Sequence, residues 1–207
     1  MTEILNDICP LGNHLQHYWD RLSREERKME FDEEGLFSLT PQKVALEIAD
    51  NIAGNIIVDA FCGVGGSAIG FALKGKSVIA IDNSSDRLSM AKNNSEIFGV
   101  SSLIEFAQGD CMQILPEIKA DTIFLDPPWG GTDYGRITDF KLSNFEPDGK
   151  SLLDLSFSIT NSVVTNSVVM RLPKNFDVDE LNQFNKKYKL QKNFLDGQFL
   201  HYCVYFR

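Results

Sequence analysis

Four residues in succession, Asp126-Pro127-Pro128-Trp129, combine a carboxylate, two backbone carbonyls without companion N–H groups and a flat aromatic face, followed by Gly130-Gly131. Two successive prolines hold the chain extended and cannot donate backbone hydrogen bonds. An exocyclic amine on a planar base needs such surroundings to become a nucleophile, because its lone pair is delocalised into the ring. Acceptors on both N–H bonds, here the Asp126 carboxylate and the Pro127 carbonyl, favour the pyramidal geometry in which nitrogen can attack a methyl group. Trp129 offers a surface on which an unpaired base can stack. The bland alternative is a proline-rich turn beside a core tryptophan.

A second constellation lies upstream. Asp59-Ala60-Phe61-Cys62-Gly63-Val64-Gly65-Gly66 joins a strand-like run to a helical one, and glycines at such a junction let backbone approach a ligand closely. Taken alone, that turn also suits a dinucleotide site or a mere tight bend. About 20 residues later the next apolar run closes on Asp82, where a carboxylate can accept both hydroxyls of a ribose. Gly109-Asp110 closes the third. Each aspartate could instead cap a following helix. In a parallel sheet, however, Asp59, Asp82, Asp110 and Asp126 all reach the crevice at the C-terminal strand ends.

The elements that must position these groups can be read from periodicity. Strand-like runs at Ile56–Val58, Val78–Ile81, Ile104–Phe106 and Thr122–Leu125 alternate with helical patterns at Ala68–Leu73, Asp86–Phe98, Met112–Ile118 and Leu152–Ile159. Alternating strand and helix with near-continuous apolar strands predicts a doubly wound α/β fold with a parallel sheet. Val163–Met170 reads as a fifth strand and Val178–Phe184 as a helix. Leu190–Leu195 and Phe199–Phe206 read as an antiparallel hairpin turning at Asp196-Gly197. Before the sheet, His14–Lys28 has amphipathic helical spacing. An acidic stretch follows, Glu30 to Gly35, and then a second helix with Thr40 as its N-cap and Pro41 at its first position. Residues 1–54 thus read as a short helical extension, and 55–207 as the α/β domain. The aperiodic stretch Gly130–Lys150 is long for a connection and, leaving the fourth strand, is expected to serve function.

Composition narrows the classes. A net charge of −9 over 207 residues lacks the basic surface that non-specific grip on long nucleic acid requires. No apolar run approaches a bilayer span, and Met-Thr-Glu with Asp7 is not a secretory start, so an intracellular protein of cytoplasm or nucleus is expected. The four cysteines are scattered; buried reduced thiols are expected rather than zinc ligands or disulfides. His14, His17 and His201 are expected to be surface or hydrogen-bonded histidines, and no metal is expected.

The Asp126–Gly131 motif, together with Val58–Gly66 and Gly35-Leu36-Phe37-Ser38-Leu39-Thr40-Pro41, resembles the trimethylguanosine synthase family, the RNA cap guanine-N2 methyltransferases. The likeness runs from about Tyr18 to the C-terminus. It implies a class I methyltransferase (Rossmann-like) fold of seven strands, S-adenosyl-L-methionine as cofactor and an RNA 5′ cap or short RNA end as partner, in a protein expected to be a monomer. Phe37, Thr40 and Pro41 would pack over a cofactor held by Asp59, Phe61, Gly63, Gly65, Asp82, Asp110 and Asp126. Asp126 and Pro127 would be catalytic. Pro128, Trp129 and Gly130 would bind the 7-methylguanine, and Lys174, in Pro173-Lys174-Asn175, would approach the cap phosphates. A guanine in ribosomal or transfer RNA, or another base amine, is the alternative substrate. A cap- or cofactor-binding module without catalysis is the alternative class.

Overall fold

A computed structural model describes residues 29–130, 135–160 and 167–207. The amphipathic segment 14–28 and the first part of the predicted fifth strand lie outside them. Seven strands form one sheet in the order β3-β2-β1-β4-β5-β7-β6. They are β1 (Ile56–Asp59), β2 (Ser77–Asp82), β3 (Ile104–Gln108), β4 (Thr122–Leu125), β5 (Ser167–Pro173), β6 (Tyr188–Leu195) and β7 (Gln198–Phe206). The first five are mutually parallel and β7 runs antiparallel to both β5 and β6. The Rossmann-like sheet and its terminal hairpin therefore agree with the sequence reading.

Helices cover both faces: α1 (Glu33–Ser38), α2 (Gln42–Asn51), α3 (Gly66–Leu73), α4 (Ser85–Ile97), α5 (Cys111–Ile114) and α6 (Gly149–Thr160). Alternate strand residues feed two cores, as the period-two geometry of strands requires. Ile57, Val78, Ala80, Phe124, Val169 and Tyr205 meet α2, α3 and α4, while Val58, Ile81, Ile123, Met170 and Val204 meet α5 and α6. Helix α2 is thus built into the first core, its Val44 and Ile48 fully buried.

Three local expectations need correction. Thr40 does not cap α2: Pro41 holds that position, with no side-chain cap, and the threonine hydroxyl lies 3.1 Å from Ser67 Oγ. Met112–Ile118 is not one helix, because Pro116 cannot continue it; α5 ends at Ile114 and a 3-10 turn follows. Val178–Phe184 is likewise a 3-10 helix. The hairpin turn is as read, with Asp196 and Gly197 at φ of 49° and 79°, the pair of left-handed residues that a two-residue turn matching strand twist demands.

The acidic stretch runs into a helix, α1 beginning at Glu33. Asp32 caps α1, accepting from the Gly35 N–H at 2.7 Å, and its other oxygen takes the Arg87 guanidinium of α4 at 3.1 Å. Glu34 joins the same arginine at 2.6 Å. Asn94 completes the attachment, exchanging hydrogen bonds with the Glu30 backbone and donating to the Val64 carbonyl. Asp32→Ala should lower stability by about 1–2 kcal/mol, mostly through the lost cap because the ion pair is partly exposed. The urea midpoint measures this, and an unchanged midpoint would leave the attachment to the Glu34–Arg87 pair and Asn94.

Candidate functional site

Parallel strands place Asp59, Asp82 and Asp126 at or just beyond one edge of the sheet, each ending its strand or following it by one residue. Between β1 and α3 the chain passes through Gly63 and Gly65 at φ of 54° and 94°. A Cβ on Gly63 would meet nothing within 4 Å, so this turn borders open space. The Gly63 N–H donates to Asp82 Oδ2 at 2.8 Å and the Ser84 N–H to Asp82 Oδ1 at 2.9 Å. Each Asp82 oxygen retains a second lone pair. Asp110 is exposed and accepts from the Met112 N–H at 2.9 Å, which makes it the N-cap of α5 as well as a group on the crevice edge.

Asp59 is fully buried, and its Oδ2 has no hydrogen-bond partner among the described residues. Burial, and next the nearby Asp126 carboxylate, push its carboxyl up to about 8. Burial also raises Asp126, but there Arg171 opposes the shift. Cys62, between Asp59 and Asp82, is raised well above the ordinary thiol range, by burial first and then by both carboxylates. Cys62, Cys111 and Cys203 are buried free thiols.

Past β4, Pro127 is buried, Trp129 half-buried, and Pro128 and Gly130 are exposed. The connection that follows is anchored beside them. Phe140, Leu142 and Phe145 are buried in the second core, and the Glu146 N–H reaches the Pro128 carbonyl at 3.4 Å. Lys174 stands exposed immediately after β5. Phe61 is half-buried, Thr40 and Pro41 are buried, and Phe37 on α1 is 53% exposed.

Of two further residues here, the sequence reading missed one, Arg171, and misplaced the other, His201. Arg171, on β5, donates from Nη1 to Asp126 Oδ2 at 2.7 Å and to Thr40 Oγ1 at 2.9 Å. Its guanidinium carbon lies 4.9 Å from the Trp129 ring centroid. His201, on β7, is neither on the surface nor hydrogen-bonded. It is 1% exposed, neither ring nitrogen has a partner among the described residues, and its ring meets Trp129 edge-on at 6.4 Å. Burial, and next Arg171, hold its pKa well below the usual imidazole value, so it is neutral near pH 7. The only available signal was strand alternation, which puts Arg171 and His201 on one face with Cys203.

Comparison with known proteins places the chain among RNA methyltransferases. Residues 54–205 match the family profile described as RNA cap guanine-N2 methyltransferase. The chain is 35% identical to a trimethylguanosine synthase of Schizosaccharomyces pombe, over 96% of this chain and 89% of that protein. It is 30% identical to the trimethylguanosine synthase of Saccharomyces cerevisiae, over 86% of this chain and 61% of that one. Among solved structures, a Porphyromonas gingivalis W83 protein assigned as a methyltransferase superposes with a TM-score of 0.67 at 20% identity. That superposition covers 83% of this chain and 41% of the other.

Proposed function

The chain belongs to the RNA cap guanine-N2 methyltransferase family, and we propose that it methylates the N2 amine of 7-methylguanosine at an RNA 5′ end, using S-adenosylmethionine. The observation that carries this reading is the turn after β4, where a half-buried carboxylate, an extended proline pair and a half-buried indole follow one another.

The crevice fits the methyl donor. An orphaned buried oxygen on Asp59, open space beside Gly63 and spare lone pairs on Asp82 suit a ligand carrying an amino acid moiety and a ribose. Asp82 would hold the ribose hydroxyls and Asp110 the adenine. Asp59, Phe61, Gly63 and Gly65 would shape the rest, beneath Phe37, Thr40 and Pro41 of the extension formed by residues 1–54. When bound, the group supplies an electrophilic methyl on a good leaving group.

The chain's own task is then to position the amine. Asp126 and the Pro127 carbonyl accept its two N–H bonds, turning the nitrogen lone pair out of conjugation. Trp129 fixes the plane of the base, with Pro128 and Gly130 bordering it, and Lys174 offers charge to the phosphates. Orientation of this kind accounts for a large part of such a rate enhancement.

Incubation with labelled S-adenosylmethionine and a panel of m7GpppG, GpppG and uncapped RNA tests the assignment. Label on the 7-methylguanosine is expected; label confined to internal RNA guanines would move the substrate, and none at all would leave a binding module. Asp82→Ala should weaken cofactor binding by about 1.5–3 kcal/mol through lost charge-assisted hydrogen bonds. Calorimetry reads this directly, and wild-type affinity in the variant would remove Asp82 from the pocket.

A further inference from the structure

Arg171 reaches into two segments of the candidate site that are far apart in sequence. Besides Asp126 and Thr40, its Nη1 approaches the Ser38 carbonyl at 3.4 Å, while the guanidinium lies over the Trp129 ring. The residue is only 8% exposed and pairs in register with Cys203 of β7. A rigid strand, buried in the sheet, therefore holds the cation in place.

We propose that Arg171 is a positioning residue for methyl transfer. It sets the Asp126 carboxylate, the Trp129 plane and the 38–40 segment in one arrangement, so that amine acceptor, stacking platform and cofactor cover are assembled together. This rests on the roles given above to Asp126 and Trp129. A planar guanidinium can stack on indole and donate in its own plane at once, whereas an ammonium cannot serve both geometries. The other titratable groups around the pair are Asp59 at the end of β1 and His201 and Cys203 on β7. None of them supplies a second cation.

A pH signature follows. The acceptor must be ionised, and activity falls as pH drops through the Asp126 pKa. Burial raises that pKa and Arg171 lowers it, so removing the arginine moves the acid limb to higher pH.

Single-turnover methylation of m7GpppG from about pH 5 to about pH 9.5 reads the limb. For Arg171→Met the limb should move up by at least about one unit, leaving a rate at least about tenfold lower on its acid side and largely recovered at high pH. Arg171→Lys should keep the wild-type limb with a lower plateau. In an Asp126→Asn background, Arg171→Met should shift nothing, because the carboxyl that Arg171 contacts is gone and the remaining Asp59 carboxyl is governed by burial and its neighbouring carboxylates, not by Arg171. Should Arg171→Met fail to fold, Arg171→Gln gives the same comparison. Parallel wild-type and variant profiles, or a shift that persists in the Asp126→Asn background, would overturn the proposal while leaving the activity intact. A wild type silent at every pH would overturn both it and the functional reading beneath it.

Discussion

Asp126→Ala is expected to lower kcat by on the order of 10²- to 10³-fold, the size of effect seen when one group matched to the changing charge of a transition state is removed. The Michaelis constant for capped RNA should change little, since Trp129 and the contacts proposed for the phosphates remain. A split of this kind separates an interaction realised at the transition state from one made equally in the ground state. The variant also strands a buried guanidinium. Breaking a buried pair from one side costs about 3–5 kcal/mol, so Asp126→Ala should be less stable as well as slow. Asp126→Asn disentangles the two effects, because its amide oxygen can still accept from Arg171 and from one N–H of the substrate. It should recover most of the stability and part of the rate. A raised Michaelis constant with unchanged kcat in both variants would reduce Asp126 to a binding residue.

Trp129→Ala should weaken binding of 7-methylguanosine diphosphate by about 1–3 kcal/mol, the usual loss when a base loses its aromatic platform. Cofactor affinity should stay near wild type, as none of the contacts proposed for the cofactor is made by Trp129. The wild type should also prefer 7-methylguanosine over guanosine diphosphate, since 7-methylation makes the ring cationic and a cation gains about 0.5–2 kcal/mol on an indole face. Arg171 already lies over that ring, and its charge is offset by Asp126 at 2.7 Å. The preference should therefore fall toward the lower end of the range. Trp129→Phe should retain part of it and Trp129→Ala none. Competition between the two nucleotides for the three proteins decides the matter; equal binding by wild type would point to an internal guanine instead of a cap.

The parts of this protein that can be read from sequence are those fixed by neighbours in the chain. Strands β1, β2 and β4 announce themselves as short apolar runs because both faces of a parallel sheet are covered. Asp196-Gly197 declares its turn through backbone sterics alone. The Asp126–Trp129 motif is contiguous, so its chemistry could be argued before its position was known. What escaped depends on partners distant in sequence. Thr40 has the composition of a cap, yet its hydroxyl is taken by Ser67 and Arg171, 27 and 131 residues away. Asp32 and Glu34 look like a solvated acidic run until Arg87 arrives from α4. Arg171 and His201 each occupy one alternating position in a strand, and nothing local distinguishes a buried polar residue there from an exposed one.

The attachment of residues 29–40 has a bearing on how this fold can be recombined. Their anchors, Arg87 and Asn94, lie on α4, more than 50 residues downstream. A chimera that takes its leading segment from a homologue would inherit the acids and the helix but leave their sockets behind. Exchanging 29–40 together with Arg87 and Asn94 should give a hybrid of near-parental stability, whereas a cut made at the nearest loop should give a less stable one. The functional module is thus discontinuous in the gene though continuous in space, and exchange experiments on relatives should place their crossover points after α4.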